Sequence, residues 1–257
     1  MAIPPDPTVD ASAVLAAQIL KLQSDVIGVQ EVDYFLERSG NHNQVGNIAT
    51  VMKAADWAFA PSLFGNPDEK WRKPHNEDLK IVTNKSPEGE AGYGIGMISL
   101  LPVKSWHRLD LKGAPIGVFM MFPVDGKLKR FYVRDHPRSA LGAILENGWL
   151  IINTHLSFVP FFNYRQLKQT KRWANTLGVA PEKVLLMGDF NIPSQKIVAG
   201  RKWNVLTTGK TFPSWQPKVE IDFMLSQTLS PNEVEQITYT HAGMSDHLPL
   251  QIVVSAK

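Results

Sequence analysis

Val184-Leu185-Leu186-Met187-Gly188-Asp189-Phe190-Asn191 is the stretch on which the reading of the fold turns. Four apolar residues of strand length run into two oxygen-bearing side chains spaced two apart, which share one face if the strand continues. Gly188-Asp189 and Asn191-Ile192-Pro193 are also good turn formers. A carboxylate beside an amide at a strand end is more specific than a turn requires, because the pair can orient a water molecule or bind a hard cation such as magnesium.

Working outward, the pattern repeats. Apolar spacing predicts a helix from Asn163 to Leu177 before this strand. Further strands are predicted at Tyr93 to Leu100, Ile116 to Phe122, Arg130 to Val133, Ser139 to Leu145 and Trp149 to His155, then at Val219 to Leu225, Gln236 to Tyr239 and Leu248 to Val254. Asp125-Gly126 and Asn147-Gly148 are turn dipeptides, the second a good hairpin signal. Near the start, Leu15, Ile19 and Leu22 recur at helical spacing and feed the strand-like Val26-Ile27-Gly28-Val29; Val45, Ile48, Met52 and Ala55 predict a second helix. Pro61 to Gly92, rich in Pro, Gly, Asn and charge, reads as a long surface loop, and residues 1–9, with three prolines, as an irregular lead-in. Many strands with few helices favour two packed sheets covered outside by helices, in a single domain over 1–257.

At 257 residues, with 44% hydrophobic and 20% charged, the chain is large enough for a substantial core. No apolar run approaches the roughly 20 residues of a spanning helix, and the start lacks a basic region followed by an apolar core; a cytoplasmic location is expected. With no cysteine, thiolate chemistry, disulfides and zinc–thiolate sites are excluded. The net charge of +3 suits a polyanionic substrate without requiring one.

Four other places set chemistry-bearing residues at strand ends. Gln30-Glu31 closes the Val26 to Val29 strand, where a carboxylate can also be merely solvated. Asn153-Thr154-His155-Leu156-Ser157 ends another apolar strand, and an imidazole there can donate to a phosphate oxygen, move a proton or serve structure alone. Asp222 lies between apolar Ile221 and Phe223. Ser245-Asp246-His247 precedes the last strand, where an Asp hydrogen-bonded to His fixes the tautomer and stabilises the imidazolium. Neither Gly-x-Ser-x-Gly, a P-loop nor a strand-linked Gly-x-Gly-x-x-Gly occurs. An inventory of carboxylates, amides and histidines favours direct attack of water on phosphorus with a metal ion offsetting charge.

In order, Gln30-Glu31, Thr154-His155-Leu156, Gly188-Asp189-Phe190-Asn191, Ile221-Asp222-Phe223 and Ser245-Asp246-His247 resemble the successive motifs of the endonuclease/exonuclease/phosphatase superfamily, over about Val9 to Val254. The resemblance implies an α+β fold, a four-layer α/β/β/α sandwich of two mainly antiparallel sheets packed face to face, and a divalent-metal-dependent phosphoric ester hydrolase using Mg2+ or Mn2+. It implies Glu31 as principal metal ligand, with Asp246 as a second; Asp189 orienting or deprotonating water; Asn191 on the phosphate; and His247, paired with Asp222 or Asp246, facing the pentacovalent transition state. His155 would donate to the phosphate, with Tyr93 and Arg138 as further substrate contacts, although a packed aromatic and a surface charge explain these two equally. The family normally opens with a strand ending in a metal-supporting Asn; MAIPPDPTVD stands there instead, which predicts a true start upstream.

Phe158 to Arg165 forms an aromatic run entering a helix with Arg165, Lys168 and Arg172 on one face. Beside a phosphoesterase site it can stack bases along a nucleic acid, meet lipid head groups, or simply pack inward; Trp215 is a candidate rim residue. The expected partner is a phosphate-ester substrate, with no obligate protein partner and a monomeric state. The alternative is a catalytically impaired member that binds anions.

Overall fold

A computed structural model describes residues 17–75, 78, 80–124, 127–240 and 245–254. The lead-in over 1–9 and the position of a first strand lie outside the described residues. The described end of the first helix passes through a 3-10 turn at Leu20–Leu22 and stops at Gln23, whose φ of 50° breaks the helical path.

The first sheet is built from β1 (Val26–Tyr34), β2 (Asp56–Gly65), β3 (Trp71–Arg72), β4 (Val82–Thr83) and β5 (Gly92–Ser99), in the order β1-β5-β2-β3 with β4 also on β2. The second combines β6 (Val103–Leu111) with four later strands and one short one. Between β6 and those strands, β7 (Val118–Val124) and β8 (Lys127–Val133) form a ribbon of their own. The remaining strands are β9 (Arg138–Leu145), β10 (Leu150–His155), β11 (Val184–Asp189), β12 (Asn204–Val205) and β13 (Asp222–Ser226), giving the order β12-β13-β11-β10-β9-β6. A last pair, β14 (Val234–Thr238) and β15 (Leu250–Val254), is antiparallel. All pairings among the described residues are antiparallel except β10 with β11.

After the described end of that first helix, three α-helices lie among the described residues: α1 (Gln44–Met52), α2 (Phe162–Ala174) and α3 (Gln195–Ala199). The parallel step from β10 to β11 requires a crossover, which α2 supplies. Asn43 caps α1 by accepting from the Gly46 amide, and Ser194 caps α3 through the Ile197 amide. Apolar clusters separate the layers. Val45, Ile48 and Ala49 of α1 pack on Ile27, Phe59 and Ile98 of the first sheet. Ala58, Ala60, Ile95 and Met97 meet Leu141, Ala143 and Ile151 between the sheets. Leu167 and Ala174 of α2 and Val198 of α3 cover Ile152, Leu186, Phe223 and Leu225 on the outer face of the second sheet. The result is the expected α/β/β/α sandwich, because each sheet has apolar side chains on both faces and needs a covering layer on each.

Two sequence expectations are corrected. The segment Pro61 to Gly92 is not one surface loop: β2 continues buried through Phe64, and short β3 and β4 pair with it. Pro61 obscured this, since it lacks an N–H; the register shift between Pro61 and Leu63 is the bulge that accommodates it. The strand β6 was also not anticipated, because as an edge strand it is half-exposed over most of its length and lacks a clean alternation. The Asn147-Gly148 hairpin is present between β9 and β10, with Gly148 at φ 86°.

Candidate active site

Register across the second sheet sets three of the expected residues side by side. His155 ends β10 opposite Asp189 on β11, and Asp189 in turn faces Asp222 on β13. The strands approach closely here because residue 188 is glycine. Its φ is 141°, and a β-carbon would stand 1.8 Å from the Thr154 carbonyl oxygen. After Asp189 the chain turns through Asn191 at φ 51°, a conformation Asn tolerates. The Asn191 amide N–H donates to Asp189 Oδ1 at 2.8 Å, and its side-chain Nδ2 donates to the Leu156 carbonyl at 3.1 Å and lies 3.3 Å from His155 Nε2.

His155 is buried among charged neighbours. One Arg138 guanidinium nitrogen lies 3.0 Å from its Nδ1 and 2.9 Å from its Nε2; Glu31 Oε1 is 4.0 Å from Nδ1 and Asp189 Oδ2 is 3.6 Å from Nε2. Burial, then Arg138, holds the imidazole well below its usual pKa, so it is neutral and its contacts with the carboxylates are not ion pairs. Arg138 is 3% exposed, and its Nε has no hydrogen-bond partner. Its nearest acid is Asp135, 3.8 Å away and also buried. A buried guanidinium this thinly compensated has charge and a donor left over with which it can receive an anion.

Glu31 comes from the other sheet. The pairing of β1 with β5 slips between Val29 and Val32, and Glu31 at that bulge has φ 56°. Such a conformation is uncommon for a residue with a long side chain. The bulge aims the carboxylate at the site, where it is 63% exposed. Beneath it Asn153 ties the sheets together, donating to the Val29 and Gly96 carbonyls and accepting from Gln30. Tyr93 is buried on β5, and burial first, then the facing Glu31, pushes its pKa well above the usual value.

On the far side, His247 Nδ1 is 2.8 Å from Asp222 Oδ2, which also accepts from the Thr211 hydroxyl. Burial opposes protonation of His247, yet Asp222, Asp189 and Asp246 outweigh it and raise the pKa to about 9. Asp189 moves the other way for a carboxylate: burial and then the Asp222 charge push its pKa up. Asp246 adds charge to this group, but the partner bonded to His247 is Asp222. The loop 245–247 is fastened by Ser214, whose N–H donates to the Asp246 carbonyl and whose hydroxyl donates to the Ser245 carbonyl. Trp215, the residue after Ser214, is 68% exposed.

All nine expected residues therefore lie around one end of the sandwich, at differing distances. Asp189, Asp222 and His247 present ligand atoms within 4.8 Å of one another, whereas Glu31 approaches from beyond His155 and Asp246 is outside that close group. Carboxylate oxygens suit a hard divalent cation, and the mutual repulsion that raises Asp189 is what a cation relieves. The donor set thus fits a divalent metal.

Sequence reasoning missed Asp135 and Thr211. Asp135 Oδ2 accepts from the Ala114 amide and the Ser157 hydroxyl, holding the wall that carries Arg138. The polar run Asp135-His136-Pro137-Arg138 at the head of a strand was the available signal.

A two-sheet sandwich with acids, an amide and two histidines gathered at its strand ends defines a phosphoesterase of the deoxyribonuclease I-like class. The sequence model of the Endonuclease/Exonuclease/phosphatase family matches residues 4–247, and the chain belongs to that family. Among solved structures, the mannosyl-6-phosphatase of Bacteroides thetaiotaomicron VPI-5482 is similar with a TM-score of 0.58 at 12% identity, over 94% of this chain and 90% of that one. An endonuclease/exonuclease/phosphatase of Bacteroides vulgatus gives 0.57 at 15% identity, over 95% and 90%. A family protein of Leptotrichia buccalis C-1013-b gives 0.55 at 13%, over 95% and 92%. At these identities the likeness shows the fold. No curated protein sequence matches the chain significantly.

Proposed function

We propose that the chain is a divalent-metal-dependent hydrolase of phosphate esters, with water as the nucleophile. The observation that carries this reading is the in-register row His155, Asp189, Asp222, with His247 bonded to its end.

Arg138 and neutral His155 bind the phosphoryl oxygens, the guanidinium supplying charge and the imidazole a hydrogen bond; the Asn191 amide and Tyr93 hydroxyl complete the cradle. Asp189, held by the Asn191 N–H and raised towards neutrality, orients the attacking water and takes its proton. His247 is an imidazolium at neutral pH, kept so by Asp222, and stabilises negative charge gathering on the phosphorane. Asp189 and Asp222, with Glu31 and Asp246 at the margin, are the residues that would hold a cation, since protonated His247 has no lone pair to give one. When bound, Mg2+ or Mn2+ supplies Lewis-acid charge compensation for the ester oxygens.

Bis-p-nitrophenyl phosphate and p-nitrophenyl phosphate, assayed with Mg2+ or Mn2+ and again after EDTA, test the reading. Hydrolysis that EDTA stops and added metal restores supports it. Tight binding of inorganic phosphate with no turnover of either ester, under any of these metals, overturns it in favour of an anion-binding module.

A further inference from the structure

The ribbon of β7 and β8 belongs to neither sheet. Its strands pair only with each other among the described residues, from Val118 opposite Val133 to Val124 opposite Lys127, and none of its described side chains joins the apolar clusters that build the sandwich. Yet β7 reads Val-Phe-Met-Met-Phe-Pro-Val, seven residues without a polar side chain. Such a sequence normally lies in a strand buried on both faces. Here Phe119 is 59% exposed and Met121 53%, with Tyr132 at 53% and Phe131 at 43% on the partner strand and Ile116 at 58% in the approach.

The ribbon holds its shape by its own contacts. The rings of Phe119 and Tyr132 meet edge-on at 5.2 Å, the Arg130 guanidinium sits 3.8 Å from the Phe119 ring centre, and the Gly117 amide donates to the Tyr132 hydroxyl. Charge is as uneven as apolarity. Lys127, Lys129, Arg130 and Arg134 stand against the single carboxylate of Asp125, so Val118 to Arg134 carries as much charge as the whole chain's net +3.

We propose that this hairpin is a wedge that docks the protein onto an anionic lipid bilayer surface. Exposed apolar side chains on opposite faces, Phe119 and Met121 on one and Phe131 on the other, need an environment that wraps a ribbon from both sides. The boundary between head groups and acyl chains does this without a preformed slot. The apolar strand enters that layer while the cations of β8 meet acidic head groups, each worth about 1 kcal/mol near a charged surface. Unpaired backbone groups along the ribbon's outer edges keep it at head-group depth, since they cannot be left unbonded in hydrocarbon. A second copy of the chain fits less well: Pro123 interrupts the row of N–H donors on β7, and the like charges of two ribbons repel.

The root of the hairpin joins the site. Asp135 accepts from Ala114 on the incoming leg and from Ser157, two residues past His155, while Arg138 lies three residues further along the outgoing leg. Docking would therefore bring the site to the membrane surface. This consequence, unlike the docking itself, rests on the phosphoesterase reading.

Co-sedimentation of the full chain with phosphatidylcholine vesicles, with and without phosphatidylserine, tests the proposal. The protein is expected to pellet with the acidic vesicles and to be released by salt. Phe119→Ser with Met121→Ser, and separately Lys127→Glu with Arg134→Glu, should each weaken binding roughly tenfold or more while leaving hydrolysis of soluble bis-p-nitrophenyl phosphate and the melting temperature unchanged. Failure of the wild type to pellet, equal pelleting by both variants, or a wild-type dimer that the variants convert to monomer without lipid binding would overturn it. Loss of soluble hydrolysis in every protein, with lipid binding intact, would instead count against the phosphoesterase reading alone.

Discussion

Gly188 and Thr154 lie so close across the parallel pair β10–β11 that a β-carbon on Gly188 would stand 1.8 Å from the Thr154 carbonyl oxygen. The contact sets the spacing of His155 and Asp189, one residue further along each strand. Gly188→Ala must separate backbone from backbone and also occupy a φ of 141°. It should therefore cost about 3 kcal/mol or more. Urea unfolding measures the cost. If the variant folds, its phosphoesterase kcat should fall with KM little changed, because Asp189 is displaced from its water more than the phosphate is displaced from Arg138.

The His247–Asp222 pair predicts a non-additive result. Asp222→Asn should lower kcat by roughly 10²- to 10⁴-fold, the range expected when a histidine loses its orienting carboxylate, and His247→Gln should do about the same. The double variant should be little worse than either single one, since both act through one imidazolium. Multiplying losses would mean that the two residues serve separate steps. Thr211→Val, which removes only the second donor to Asp222, should produce a smaller loss in the same direction.

Much of this arrangement was legible in the chain because buried strands announce themselves. The Val184 to Met187 run and the Leu150 to Ile152 run mark strands whose ends carry Asp189 and His155, and motif order supplied the rest of the row. What could not be read is what depends on pairing between distant segments. Nothing local to Glu31 signals the bulge that sends its carboxylate into the site, because the bulge is a property of β1 against β5. Likewise Asp222 and Asp246 are equivalent partners for His247 until β13 is placed beside β11. The strand β2 was hidden by Pro61 and by Asp56, whose carboxylate accepts the Val103 amide and pairs with Lys85, satisfying a polar group that the local pattern assigns to a surface.

Arg138 separates charge from geometry. Its guanidinium touches both ring nitrogens of His155 while facing Asp135. A lysine ammonium cannot reproduce that placement although its charge is the same. Arg138→Lys should raise KM for a phosphate ester roughly tenfold or more, with a smaller effect on kcat, as expected of a ligand-binding rather than a proton-moving group. Arg138→Met should instead lower stability by about 3–5 kcal/mol, because it strips the counter-charge from buried Asp135. Steady-state kinetics on the first variant and chemical unfolding of the second distinguish these effects.

His136 governs the response to acid. It is half-buried beside Tyr93 and Trp71, with ring centres 5.4 and 6.3 Å away, and desolvation there followed by the Arg138 charge lowers its pKa to about 3. In the unfolded chain the same imidazole titrates near 6.5. Between those values the unfolded state binds a proton that the native state refuses, so stability is present in full above about pH 6.5 and falls as the pH drops towards 3, by about 1.4 kcal/mol per pH unit for this residue. Neutral, buried His155 contributes in the same sense. His247 does not, because its raised pKa makes it protonated in both states below 6.5; its contribution is lost instead as the pH rises towards 9. Urea midpoints taken across pH 4 to 7 should therefore slope steeply for the wild type. His136→Gln should make that slope shallower by the share of one proton, even though the variant loses ring contacts and is less stable at neutral pH. An unchanged slope would mean that His136 is protonated in the native protein, in conflict with its burial against Arg138.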